Sequence, residues 1–445
     1  MKLKQRRELR PIRILPIGFF LVIVIGMLLL KLPAATRSGS LSWFDALFTA
    51  TSASCVTGLT VVDTYGAFTG FGQGVLLLLI QIGGLGFMTM TTFLFIIARR
   101  HISLRNRVIL QEAMGEDSIM SAQKMMRAAV SYTFAIEGAG ALLLSIRFIP
   151  RFGFGKGIWY SIFHSVSAFC NAGFDLLGEE GSLQAYVGDP LVNITVMLLI
   201  ISGGIGFVVI HNILHYRKQH RLHTQTKVVL LASGFLILTG SILFFAFEYR
   251  NPATIGTLSI GEKLWASVFQ SVTCRTAGFF SIQQAGLTDA SKLVACVLML
   301  IGAASGGTAG GIKVTTVVVI VLTIRAFIRG KEDVEVFGRR IELSTVRRAL
   351  CLLVFALGVL MMAMLAVSVA DPQFSMLDIA YELCSALATV GLTDGITAAG
   401  SMFTKAILCI FMYFGRVGLL TLVASLGREE TRSVIRYPSG NIMVG

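Results

Sequence analysis

Three stretches of this chain approach or exceed the thickness of a lipid bilayer without one charged residue: Ile14 to Leu30, Thr64 to Ala98 and Ala349 to Ala370. A helix needs about 20 apolar residues to cross the hydrocarbon core. Lipid offers no partner for an open backbone group, so such runs fold as helices. Composition agrees. Of the 445 residues 55% are apolar and 14% charged, against roughly 25% charged in a soluble domain. The chain reads as an all-α integral membrane protein.

The net charge of +14 is distributed as an orientation signal, not as a nucleic-acid surface. Residues 1–13, 99–127, 217–227, 325–348 and 428–445 hold 26 of the 38 Lys and Arg. The opposite side carries Lys31, Arg37, Arg147, Arg151, Lys156, Arg250, Lys263, Lys292 and Lys405. Basic residues flanking spans stay in the cytoplasm, which puts both termini inside, with the basic face toward the lipid bilayer. Residues 1–36 share a basic start with cleaved signal peptides, but their apolar stretch exceeds the usual roughly 7–15 residues. The seven cysteines form no C-x-x-C pair and lie in apolar segments, so they read as packing residues.

One pattern recurs four times: a long apolar span, a short amphipathic segment, a glycine turn and a second long span. First spans lie near 12–32, 126–148, 227–248 and 349–370, and second spans near 72–98, 190–216, 292–325 and 402–427. The short segments near 43–55, 158–170, 262–274 and 377–388 reach only about 18–20 Å as helices, too little for a ~30 Å core. They must enter the membrane and turn back, inside protein or beside water. Three begin with a capping-box pattern, Ser42-x-x-Asp45, Ser259-x-x-Glu262 and Ser375-x-x-Asp378. The expected architecture is eight full spans plus four re-entrant half-helices around one central ion pore. Its units are 1–100, 101–217, 218–330 and 331–445.

The turns align without gaps as Val56-Thr57-Gly58, Asn171-Ala172-Gly173, Thr276-Ala277-Gly278 and Thr389-Val390-Gly391, each followed by Leu or Phe. Glycine admits positive φ and can turn carbonyls inward. Carbonyl oxygens replace the water shell of a cation without a fixed charge to trap it. The half-helices would add the negative ends of their dipoles. Four such turns around one axis suit a dehydrated monovalent cation.

The third second-span is interrupted by Gly302-Ala303-Ala304-Ser305-Gly306-Gly307-Thr308-Ala309-Gly310-Gly311 before Lys313. Five glycines each weaken a helix by about 1 kcal/mol relative to alanine, so a flexible intramembrane loop below the turns is expected. Glycine packing of the G-x-x-x-G kind is the plainer alternative. Lys313 and Arg416 are charges at membrane depth and need protein or water partners; Glu137 is one possible partner of Arg416. Arg275 would repel a permeant cation if it lined the path. It is expected to brace the turn from behind, paired with Asp63, Asp175 or Asp394.

Enzyme motifs such as G-x-G-x-x-G, the P-loop and G-x-S-x-G are absent from the sequence. His211, His215, His220 and His223 lie among basic residues and read as part of a basic face. An alternating-access carrier, a symporter with a co-ion, remains a competing reading of the glycine-broken spans.

On these turns and half-helices the sequence resembles the Trk/Ktr/HKT superfamily of potassium transporters, most closely its bacterial KtrB membrane subunits, over essentially the whole chain. The resemblance implies a K⁺ selectivity filter with one glycine per repeat, here Gly58, Gly173, Gly278 and Gly391. Family members with serine at the first position tend to admit sodium, so Gly58 implies potassium preference. One glycine per strand implies fewer carbonyl rings than in potassium channels. The resemblance further implies that the 302–313 loop is a gate held by Arg416. It implies a homodimer in the plasma (inner) membrane and a cytoplasmic ring of RCK-domain, KtrA-like subunits binding ATP or ADP. No organic cofactor is expected in this chain itself.

Overall fold

The structure is a computed structural model and describes residues 11–86, 119–178 and 181–418. The expected span ends at 87–98 and 419–427, and the basic stretches 1–10, 99–118 and 428–445, lie outside the described residues.

Among the described residues the regular secondary structure is helical apart from one hairpin. Helices α1 (Pro11–Leu30), α2 (Trp43–Cys55) and α3 (Gly70–Leu85) come first. Next are α4 (Ile119–Phe152), α5 (Phe154–Phe169), α6 (Pro190–Gly204) and α7 (Phe207–Leu214). Helices α8 (Thr224–Glu248), α9 (Ile260–Thr273), α10 (Asp289–Leu300) and α11 (Val314–Ile328) follow. The hairpin β1 (Val334–Val336) and β2 (Arg339–Ile341) leads to α12 (Leu343–Ala370), α13 (Met376–Ala388) and α14 (Met402–Val417).

The hairpin departs from an all-α expectation. Alternation in Val334-Glu335-Val336 and the loop Phe337-Gly338, both at positive φ (47° and 70°), match a tight two-residue hairpin. It is too short to stand out by periodicity.

Length and composition qualify Arg127–Phe152, Thr224–Glu248 and Leu343–Ala370 as membrane spans. Helices α6 and α7 qualify together but bend by 102° at their junction. The apolar stretches of the second helices are therefore longer than the helices themselves. Glycine breaks them: Gly86, Gly206 and Gly418 stand at φ 81°, 92° and 92° directly after α3, before α7 and after α14.

Four ties join ends of successive helices. In each, the N-cap residue of the later helix is held by the earlier one or by the turn that follows it, so a capping residue also sets helix spacing. Thr69 Oγ1 donates to Ala34 O at 2.6 Å and its amide to Ala35 O at 3.0 Å. Arg147 Nε meets Asp189 Oδ2 at 2.9 Å. Thr288 donates from N and Oγ1 to Glu248 Oε1 at 2.9 and 2.7 Å. Ser401 donates from N and Oγ to Asp371 Oδ2 at 3.0 and 2.8 Å.

Helices α2, α5, α9 and α13 occupy the interior, each ending in a run of buried residues. Ser42, Ser259 and Ser375 cap three of them, each accepting from the amide three residues on. Only at Ser259 is the box reciprocal, with Ser259 N donating to Glu262 Oε2 at 2.9 Å. The amide and side chain of Ser259 hold the Glu262 carboxyl below its usual range. Helix α5 lacks a side-chain cap and starts at Phe154, four residues earlier than expected, because Gly153 at φ 81° turns the chain directly out of α4.

Candidate functional site

Each interior helix ends in the same way. The residues two before the glycines, Val56, Asn171, Thr276 and Thr389, are left-handed at φ 57°, 59°, 73° and 53°. Such a residue ends a helix by returning amides to its last carbonyls. Val56 N donates to Ala53 O at 3.2 Å and Thr57 N to Ser52 O at 2.8 Å. The same pair of bonds joins Asn171 and Ala172 to Ala168 and Ser167, and Thr389 and Val390 to Ala386 and Ser385. The third unit differs: Ala277 N returns to Thr273 O at 3.0 Å.

Gly58, Gly173, Gly278 and Gly391 follow at φ 94°, 68°, 82° and 95°, and they meet one another. A methyl added at Gly58 would lie 2.5 Å from Ala172 O and 3.0 Å from Gly173 Cα. One at Gly173 would lie 2.9 Å from Ala277 O and 2.8 Å from Gly278 Cα. One at Gly278 would lie 2.6 Å from Val390 O, and one at Gly391 would strike Thr57 O. The contacts run 58 to 173 to 278 to 391 and back to 58, so the four turns close a ring. The carbonyl oxygens of Thr57, Ala172, Ala277 and Val390 each lie against the glycine of a neighbouring turn. A Cβ at any of these positions would press on the backbone of a neighbouring turn.

Hydroxyls hold the ring from behind, and the sequence reading passed over them. Ser52 Oγ accepts from Gly58 N at 3.0 Å, and Ser385 Oγ accepts from Gly391 N at 3.1 Å. Ser167 Oγ donates to Phe174 O at 2.7 Å, and Thr273 Oγ1 to Phe279 O at 2.5 Å. The signal was a hydroxyl six residues before each glycine, five in the third unit. Lys292 on α10 adds an ion pair, meeting Asp378 at 2.5 Å and Asp394 at 3.3 Å beside the fourth turn.

Residues 301–313 form no helix and pack against the ends of α5 and α13. The bend between α6 and α7 frees the carbonyls of Gly203 and Gly204, and the loop takes them. Ala304 N donates to Gly204 O at 3.0 Å and Thr308 N to Gly203 O at 3.1 Å, while Phe207 N donates to Gly306 O at 3.0 Å. Thr308 Oγ1 donates to Phe169 O, the end of α5, at 3.2 Å. On the other side Gly310 abuts the Thr389 side chain and Gly311 abuts Ala388.

Two cations hold this loop. Lys313 Nζ donates to Ala309 O at 2.6 Å and Gly310 O at 3.2 Å. Arg416 Nη1 donates to Thr308 O, and its Nη2 donates to Gly83 O and, at 3.2 Å, to Gly84 O. The guanidinium thus ties the loop to the end of α3. Glu137 does not pair with Arg416; it accepts from Gln81 and Cys170.

Arg275 also departs from expectation. It is buried, and its Nη2 donates to Ser233 Oγ at 3.0 Å. The three acids are engaged elsewhere: Asp63 by Gly66 N, Asp175 by Leu177 N and Asp394 by Lys292. The cause is position along the turn. Arg275 precedes its glycine and packs among Ile200, Gly204, Ile237 and Ala303, whereas each acid follows a glycine. Among the described residues, no group of His, Cys, Asp and Glu is arranged to hold a metal.

The TrkH family profile, described as "Cation transport protein", matches residues 15–431. The chain is 42% identical to the Ktr system potassium uptake protein B of Bacillus subtilis (strain 168), covering 98% of this chain and 97% of that one. It is 41% identical to the protein of the same name from Vibrio alginolyticus, covering 97% and 94%. It is 42% identical to the potassium/sodium uptake protein NtpJ of Enterococcus hirae, covering 100% and 99%. The crystal structure of the potassium transporter TrkH from Vibrio parahaemolyticus superposes with a TM-score of 0.76 at 17% identity, over 96% of this chain and 87% of that one, a likeness of fold. With a family profile spanning most of its length and relatives above 40% identity end to end, the chain belongs to the TrkH/Ktr family of membrane cation transporters, which are not enzymes.

Proposed function

We propose that this protein takes up potassium across the plasma membrane through a filter made by the four glycine turns. The observation that carries the reading is the closed ring, in which the carbonyls of Thr57, Ala172, Ala277 and Val390 each lie against the glycine of a neighbouring turn. Those oxygens, with those of Val56, Asn171, Thr276, Thr389 and the four glycines, are the proposed ligands of a dehydrated K⁺. The half-helices α2, α5, α9 and α13 aim their negative ends at it. The architecture that goes with this reading has four units, 1–100, 101–217, 218–330 and 331–445. Together they make eight spans around one pore, with both termini cytoplasmic.

The loop 302–313 is the proposed gate. It packs against the ends of α5 and α13, and Arg416 on Thr308 O and Lys313 on Ala309 O and Gly310 O are its proposed latches. Arg275 supports the third turn through Ser233. The names of the Ktr relatives speak of a system with more than one component. A cytoplasmic nucleotide-binding RCK ring acting on the loop, and a homodimer of this chain, complete the proposal.

Gly58→Ser in liposomes holding only this protein tests the filter. The new Cβ would crowd Ala172 O, so the ratio of Rb⁺ to Na⁺ flux should fall by about tenfold or more, corresponding to about 1.4 kcal/mol of lost discrimination. An unchanged ratio would refute the filter. A flux that requires a stoichiometric co-ion would favour an alternating-access carrier instead.

A further inference from the structure

A groove of about 440 Å³ opens on the outside of the bundle between α3 and α4, floored by α5. Its walls are apolar, with Leu77, Leu78, Phe134 and Ile162 among them, and Leu78 and Phe134 are more than half exposed where the helices meet lipid. At its base are Gln81 and Glu137. Glu137 is 4% exposed. Its oxygens accept from Gln81 Nε2 at 3.1 and 3.4 Å, and Oε1 from Cys170 Sγ at 3.7 Å. Both donors are neutral, and among the described residues no Lys, Arg or His pairs with this carboxyl.

A buried carboxylate with neutral neighbours is costly unless it takes up a proton or a cation meets it. Here it forms the one acidic end of an apolar groove whose volume suits a small organic molecule. That pairing of shape and charge selects one ligand chemistry. We propose that the groove binds a lipophilic ammonium compound entering from the bilayer, its nitrogen on Glu137 and its apolar body along Leu77, Leu78 and Phe134. The site lies apart from the glycine ring but next to the gate's anchorage. Gln81 is two residues before Gly83, whose carbonyl accepts from Arg416, and Cys170 directly precedes the second turn.

Gly138 provides a steric test that leaves the acid in place. A Cβ added there meets nothing within 4 Å, Gly138 lines the groove, and replacing a helical glycine favours the helix, so Gly138→Leu places its side chain in the groove. Binding of N,N-dimethyl-phenylbutylamine to the purified full-length protein in detergent would be measured by calorimetry, with phenylbutanol as the uncharged counterpart. The wild type should bind the amine saturably. Glu137→Gln, Gly138→Leu and the change to the alcohol should each weaken binding by at least about tenfold, or about 1.4 kcal/mol. Amine affinity untouched by Gly138→Leu or by Glu137→Gln overturns the proposal. Equal affinity for the alcohol also overturns it and marks an acyl-chain crevice. Absence of amine binding, with Gly138→Leu changing the oligomeric mass, overturns it in favour of a second copy covering the groove.

Discussion

Val56, Thr276 and Thr389 hold left-handed backbone with β-branched side chains, a conformation that disfavours an L-residue by roughly 1–2 kcal/mol. The surrounding bonds hold them there. At the first and fourth turns two amides return to the helix end and a hydroxyl accepts from the glycine amide, while at the third Ala277 N returns to Thr273 O and the Thr273 hydroxyl donates to Phe279 O, the over-determination that such strained sites require. Arg416 is the second residue whose surroundings specify its role. Its guanidinium satisfies the Thr308 carbonyl of the loop and two carbonyls at the end of α3. A hydrogen bond to a charged group is worth about 1.5–3 kcal/mol. Arg416→Gln should therefore shift the loop toward an open arrangement by about tenfold or more. The measurement is Rb⁺ flux into liposomes without any partner protein, and unchanged flux removes Arg416 as a latch. The sequence singled out Arg416 by its charge at membrane depth, whereas its carbonyl partners come from α3 and the loop, 333 and 108 residues away, which no local pattern announces.

The bend between α6 and α7 explains how a glycine-rich loop can have a defined place. An unbroken helix spends its carbonyls internally. The 102° break at Gly206 leaves those of Gly203 and Gly204 open, and the loop's amides close them. Gly206 stands at φ 92°, and a methyl there would lie 2.8 Å from Ser305 O. Gly206→Ala should therefore loosen residues 303–308 without disturbing the interior helices. Hydrogen exchange would report faster exchange at Ala304 and Thr308 and unchanged protection in α9 and α13. Equal protection throughout would mean that the bend does not position the loop. The helix starts were visible as Ser-x-x-acid patterns, since a cap is a local bargain among four residues. The bend was not, because Gly203-Gly204-Ile205-Gly206 could equally serve close packing.

At the scale of the whole molecule, the basic stretches predict that the hairpin loop faces the cytoplasm and the α8–α9 connection faces outside. Cysteines placed singly at exposed Phe337 and Thr257, with exposed Cys351 replaced by Ser, would report this. An impermeant maleimide added to right-side-out vesicles should label Thr257→Cys and spare Phe337→Cys, and the reverse result would invert the proposed topology. Charge-free runs, half-length amphipathic segments and four recurring glycine turns determined by themselves that the chain is a helical membrane protein with a repeated glycine turn. Those properties depend on local composition and spacing. The acid partner expected for Arg275, the ties of Glu137, the hydroxyls behind the turns and the seat of the loop were decided only by tertiary structure. Each depends on which distant helix arrives alongside, and on which carbonyls a bend leaves open to receive it.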